Sequence, residues 1–156
     1  SVRPENLDAL LHAAMQENQG YAEQRQVRWR YLNPHPDARI LADPTRFKQV
    51  MDNLLSNAVT FTPERGTVRL ESRREGDDLI IIVADTGLGI PRDDRERIFK
   101  PFEKGDKTGA GAGLGLSLVR NFIQLHGGSI DVKSPPGRGT TITCHLPAAG
   151  PGGEDG

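Results

Sequence analysis

The sequence predicts an α+β fold, a sandwich whose largely antiparallel sheet carries its helices on one face. Two observations predict it. Apolar residues recur at helical spacing in three segments, 7–26, 44–62 and 114–126, and at strand spacing between them. The strand-like segments come in pairs joined by turn residues, as hairpins do, rather than singly between helices.

In chain order, Leu7, Leu10, Leu11, Ala14 and Met15 predict a helix from Leu7 to about Gln26, with Gly20 as its flaw. Val27, Trp29 and Tyr31 alternate with Arg28 and Arg30, so Val27–Tyr31 reads as a half-buried strand. A turn at Asn33–Asp37 leads to a short strand, Arg39–Ala42. Asp43 reads as the N-cap and Pro44 as the first residue of the next helix. There Phe47, Val50, Met51, Leu54, Leu55, Ala58 and Val59 form an apolar stripe, and Pro63 and Gly66 end it. Thr67–Arg73, with Val68 and Leu70 inward, turns through Gly76-Asp77-Asp78 into the continuous apolar run Leu79–Ala84, a central strand.

Beyond it, Asp85–Ile90 breaks the strand, Pro91–Phe99 reads as a short helix and Gly105–Gly113 as a flexible loop. The helix Leu114–His126 is expected to bury Leu114, Leu118, Phe122 and Leu125, and Gly127-Gly128 stops it. A last hairpin joins Ser129–Lys133 to Thr140–Leu146, with Ile142, Cys144 and Leu146 on one face. Residues 1–147 thus read as one domain, and 148–156 as a disordered Gly/Pro-rich tail. Ser1–Asn6 reads as the start of a piece cut from a longer chain.

Twenty basic against 21 acidic residues leave a net charge of −1, which argues against nucleic acid as the main ligand. A single cysteine, Cys144, excludes an internal disulfide framework and fits a reducing compartment. No run reaches the length of a membrane span, so no direct membrane contact is expected of this segment. The four histidines show no metal-ligand spacing, and no nucleophile elbow is present.

Three groups of residues have the chemistry of a nucleotide site. Gln49, Asn53, Asn57 and Thr60 form a polar stripe beside the apolar face of their helix. An asparagine offers a neutral oxygen suited to a hard cation such as Mg²⁺, although most such stripes are solvated flanks. Asp85-Thr86-Gly87-Leu88-Gly89 puts a carboxylate and two glycines at a strand end, able to read an amino group and admit a flat ligand, or simply to turn the chain. Gly109–Leu116 brings glycine-rich backbone to a helix start, which suits phosphate or a mobile linker equally. It matches neither the P-loop nor the dinucleotide fingerprint.

Together and in order, these segments resemble the sensor histidine kinases. Asp43–Ala58 resembles their N box, Asp85–Ile90 the G1 box, Phe99–Phe102 the F box and Gly111–Leu116 the G2 box. Leu125-His126-Gly127-Gly128 and Gly137-Arg138-Gly139-Thr140 are similar to family sequences as well. The resemblance, over about Leu7–Pro147, implies a Bergerat-type ATP-binding fold. That is a two-layer α/β sandwich, its mixed, mostly antiparallel sheet covered on one face by about three helices.

By matching positions it implies that Asn57 ligates Mg²⁺ and that Asn53 lines the phosphate pocket. Asp85 would bind the adenine amino group, with Gly87 and Gly89 shaping its pocket. Gly111, Gly113, Leu114 and Gly115 would wrap the phosphates, and Lys104 would reach the γ-phosphate. Asn53 and Lys104 are then the catalytic positions. The implied activity is that of an ATP-dependent protein histidine kinase in two-component signalling. It would serve a histidine on a separate dimerisation and phosphoacceptor domain, and through it a response regulator. The isolated segment is then expected to be a cytoplasmic monomer, even where its parent is membrane-anchored, with negligible activity alone.

The sequence departs from the family at three points. No His-Glu-[Leu/Ile]-Arg acceptor motif is present. Thr60 stands where the family usually has a basic residue, removing a contact worth about 1.5–3 kcal/mol. The loop between Phe102 and Gly111 is short. The alternative is a degenerate kinase whose nucleotide domain acts as a regulatory interaction module. Gyrase- and chaperone-type ATPases carry Glu one turn before the Mg²⁺ asparagine, where Asn53 stands here and can take no proton.

Overall fold

A computed structural model describes residues 1–86, 116–135 and 137–148. Its elements are β1 (Arg3–Asn6), α1 (Leu7–Glu17), α2 (Gln19–Gln24), β2 (Arg28–Leu32), β3 (Arg39–Ala42) and α3 (Pro44–Phe61). They are followed by β4 (Thr67–Glu75), β5 (Asp78–Asp85), α4 (Ser117–Leu125), β6 (Ser129–Lys133) and β7 (Thr140–Pro147). Five strands form the main sheet in the order β2-β4-β5-β7-β6, parallel only between β2 and β4. The short helix expected at Pro91–Phe99, the loop Gly105–Gly113 and residues 149–156 of the expected tail lie outside the described residues.

The sheet's inner face carries Val68 and Leu70 of β4, Leu79, Ile81 and Val83 of β5, and Ile142, Cys144 and Leu146 of β7, all buried. Against it pack α1, α3 and α4, with Leu7, Leu11, Phe47, Leu54 and Val119 in the same core. Burial pushes the Cys144 thiol up to about 12, so this cysteine behaves as a core residue. Tyr31 of β2 ties the sheet edge to α1 by a short hydrogen bond to Asp8. Desolvation, together with that bond, holds the Tyr31 hydroxyl well above the usual range.

The helix α3 starts as its sequence dictates. The Asp43 carboxylate accepts the N–H groups of Thr45 at 2.9 Å and Arg46 at 3.3 Å, and Pro44 follows at the first helical turn. Asp43→Ala is expected to lower the thermal midpoint by about 2–4 °C, read by circular dichroism, with the fold retained.

Two expectations need correction, and one strand went unread. The segment 7–26 is two helices, broken at Asn18 rather than flawed at Gly20. The buried Asn18 amide donates to Ala14 O at 2.9 Å and to Asp52 at 3.3 Å, and the backbone there leaves helical geometry. Residues 3–6, assigned no element above, form a strand paired antiparallel with β3, and Ile40 of β3 also bridges Ala148. On α4 the buried stripe is Val119, Phe122 and Ile123, continuing from Leu116, while Leu118 and Leu125 are 41% and 86% exposed. Of the predicted stripe only Phe122 faces the core, and Leu114 lies outside the described residues.

Candidate functional site: a cleft between α3 and the sheet

The apolar stripe of α3 faces the sheet, so the residues at its border overlook the ends of β5 and β7. Leu54, Ala58 and Phe61 of α3 form one wall of a cleft, and Val83 and Ile142 form the other, with Leu116 at one end. Three polar residues line the same cleft: Asn57, Asp85 and Thr140. The cavity itself is narrow, about 20 Å³, and opens directly to solvent. An apolar slot with a few convergent polar groups suits a flat, hydrogen-bonding ligand.

Each polar group is positioned by a local bond. Asn57 is 7% exposed, and its Nδ2 donates to Asn53 Oδ1, one turn earlier, at 3.0 Å. That commits the Asn57 amide nitrogen. Its Oδ1 accepts no bond among the described residues and is a hard neutral donor of the kind a Mg²⁺–phosphate unit takes. Among the described residues no three His, Cys, Asp or Glu side chains gather into a cluster that could hold a metal ion.

Asp85, the last residue of β5, accepts the Thr140 N–H on Oδ1 at 3.3 Å across the β5–β7 ladder. The Thr140 hydroxyl is in turn 2.7 Å from that of buried Ser134. Thr86 receives the Thr67 N–H at 3.1 Å, and its Oγ1 would stand 2.7 Å from a Cβ at residue 66, so glycine there lets the strand end close on the α3–β4 turn.

Of the predicted site residues, the structure thus brings Asn57 and Asp85 to one cleft, with Asn53 behind it through its bond to Asn57. Gly87, Gly89, Lys104, Gly111, Gly113, Leu114 and Gly115 lie outside the described residues. Sequence reasoning missed the apolar walls as walls, and the support that Thr140 gives Asp85. The only signal for Thr140 was its place after Gly137-Arg138-Gly139. The stripe itself divides: Gln49 is exposed, while Thr60 is engaged. The Thr60 hydroxyl donates to Ser56 O at 2.8 Å and lies 2.7 Å from the Tyr21 hydroxyl of α2.

Residues 42–150 match the histidine kinase-, DNA gyrase B- and HSP90-like ATPase family, and the chain belongs to it. Its relatives are sensor histidine kinases. It is 46% identical over 110 residues to the circadian input-output histidine kinase CikA of Synechococcus elongatus, covering 68% of this chain and 15% of CikA. Among solved structures, the catalytic domain of histidine kinase ThkA superposes with a TM-score of 0.83 at 29% identity, covering 94% of this chain and 95% of that one. Full-length ShkA in complex with AMPPNP gives a TM-score of 0.81 at 33% identity, covering 97% of this chain and 32% of ShkA. The fold is therefore that of the histidine kinase catalytic domain, an ATPase-family sandwich. The chain spans 14–21% of the length of the first curated relatives it matches. Among the described residues, no helix is long and apolar enough to cross a membrane.

Proposed function

We propose that this chain binds Mg-ATP in the α3–sheet cleft and presents the γ-phosphate to a histidine on a separate dimerisation and phosphoacceptor domain. Through that domain it would serve a response regulator. The observation that carries the reading is Asn57, held by the half-buried Asn53 amide, lining one apolar cleft with Asp85. A relative of the same fold binds AMPPNP, and another, ThkA, is known in complex with the response regulator TrrA, which agree with this reading.

The adenine ring lies between the apolar walls, with its amino group donating to Asp85 and the Thr140 N–H holding that carboxylate in place. The Asn57 Oδ1 would hold the metal, and Asn53, which orients the Asn57 amide, would line the phosphate pocket. Bound Mg²⁺ supplies charge neutralisation for the phosphates. By the matching family positions, Gly87 and Gly89 would serve the base, Gly111, Gly113, Leu114 and Gly115 the phosphates, and Lys104 the γ-phosphate. Phosphoryl transfer is mainly positioning and electrostatics. Asn53 takes no proton, so the position one turn before Asn57 supplies no base for water, which favours ATP held for an external acceptor. The domain acts at the cytoplasmic side of its parent.

Calorimetric titration with ATP, with and without Mg²⁺, tests this. Micromolar, Mg²⁺-dependent binding is expected. No binding at millimolar ATP would hand the site to the interaction-module reading. Asp85→Asn keeps an acceptor oxygen for Thr140 but loses the charge. It should weaken ATP about 10-fold or more and erode ATP-over-GTP preference. Unaltered preference would remove Asp85 from the adenine.

A further inference from the structure

We propose that Ser134 is a positioning residue of this cleft, fixing from outside it the Thr140 side chain and, through Thr140, the setting of the Asp85 carboxylate. The inference rests on the nucleotide reading above and extends it to a residue that lines no part of the cleft.

Three neighbouring strands end in a polar row. Asp85 of β5 stands opposite Thr140 of β7, and the Thr140 hydroxyl lies 2.7 Å from that of Ser134, the residue after β6. The next row on the same face is apolar, with Val83 opposite Ile142 and Ile142 opposite Val132. Side chains directly opposite on a sheet stand about 4.5–5.5 Å apart at Cβ. The Thr140 side chain is therefore the immediate neighbour of Asp85, whose Oδ1 already accepts the Thr140 N–H at 3.3 Å.

Both hydroxyls are shut off from water, Ser134 fully and Thr140 nearly so. A buried hydroxyl needs a partner. Among the described residues Ser134 is the partner of Thr140 Oγ1, and that bond fixes which way the Thr140 hydroxyl turns. The loop between them is tight. Arg138 N–H bonds Pro135 O at 3.0 Å, and Gly137 and Gly139 take left-handed conformations at φ 80° and 83°.

Without the Ser134 hydroxyl, Thr140 Oγ1 has the Asp85 carboxylate as the polar side chain opposite it. Its O–H would turn there and compete with the amino group of the base for the same oxygens. The loss then falls on the base end of the cleft and spares the metal. A bond between two residues that bracket a hairpin loop also closes the hairpin, and the test must separate the two roles.

Wild type, Ser134→Ala and Ser134→Cys are titrated with adenosine, Mg-ATP and Mg-GTP, and their thermal midpoints are measured without ligand. Ser134→Ala is expected to weaken adenosine and Mg-ATP by the same factor, about 3–10-fold, and to lower the ATP-over-GTP preference with Mg²⁺ dependence kept. Ser134→Cys keeps a weak S–H donor and should fall between; it carries the test if the alanine variant does not fold. Ser134→Ala made on Thr140→Val, which keeps the N–H for Asp85 but has no hydroxyl, should cost no further affinity. A lower thermal midpoint with unchanged ATP-over-GTP preference, or equal losses of affinity in the two backgrounds, would reduce Ser134 to a hairpin closure and overturn the proposal. Wild type that binds no nucleotide would instead overturn the underlying reading, and this one with it.

Discussion

Gly128→Ala is expected to cost about 3 kcal/mol or more, while Gly127→Ala, one residue earlier, costs about 1 kcal/mol. The two glycines end α4 for different physical reasons. Gly127 has φ +75° and open space where a Cβ would go, so alanine there suffers only backbone strain. Gly128 has no such strain, but a Cβ would fall on the His145 carbonyl oxygen of β7 and come within 3.2 Å of Ile123 Cγ2. Its own N–H is bonded to Ile123 O at 2.9 Å, so the backbone is pinned between helix and strand. Relief requires β7 to move, and β7 pairs with both β5 and β6. Urea denaturation of both variants reads the difference directly. Equal midpoints would mean that the α4–β7 junction yields easily and that glycine at 128 is not a packing requirement.

Where the sequence was legible, one interaction dominated locally. The α3 stripe runs from Phe47 to Val59, and Asp43-Pro44 sets the helix start through neighbouring N–H groups, so helix and cap follow from adjacent residues. The apolar run 79–84 could only be a covered strand, and Leu79–Val83 are all buried. Misreadings arose where distant partners decide. Arg3-Pro4-Glu5-Asn6 has no apolar alternation and is a strand only because β3 lies beside it. Asn18 breaks its helix because Asp52, far along the chain, accepts from its amide. On α4 two apolar stripes compete, and the sequence does not say which one the sheet will meet. The winner runs from Leu116 through Val119 and Ile123, leaving Leu125 in solvent.

The cleft divides in the same way. Asn57 stood out as part of a polar stripe beside the apolar face of its helix, and Asp85 as a carboxylate at the end of an apolar strand. Thr140 and Tyr21 did not, since their meaning lies in Asp85 and Thr60, partners 55 and 39 residues away. A hydroxyl or a backbone N–H carries no mark in the sequence of the group it will meet.

Asn57→Ala is expected to weaken Mg-ATP binding by about 100-fold and to erase its dependence on Mg²⁺, while adenosine binding survives. Substitution of groups that merely orient metal ligands costs about 10–100-fold in affinity, and Asn57 is proposed as the ligand itself. The fold should stand. The substitution removes one hydrogen bond, Asn57 Nδ2 to Asn53 Oδ1, worth about 1 kcal/mol, and Asn53 is half-buried and able to turn to water. Asn57→Asp makes a sharper companion. A carboxylate there keeps an oxygen for the metal but places it against Asn53 Oδ1, so the Asn53 amide has to flip to donate instead. Mg²⁺-dependent binding should then return at least in part, at the cost of a reoriented Asn53. Calorimetry with and without Mg²⁺ separates these outcomes, and a circular dichroism melt confirms that each variant is folded. If Asn57→Ala binds Mg-ATP as wild type does, the metal is held elsewhere and the amide pair is only a buried hydrogen bond on the flank of a core helix.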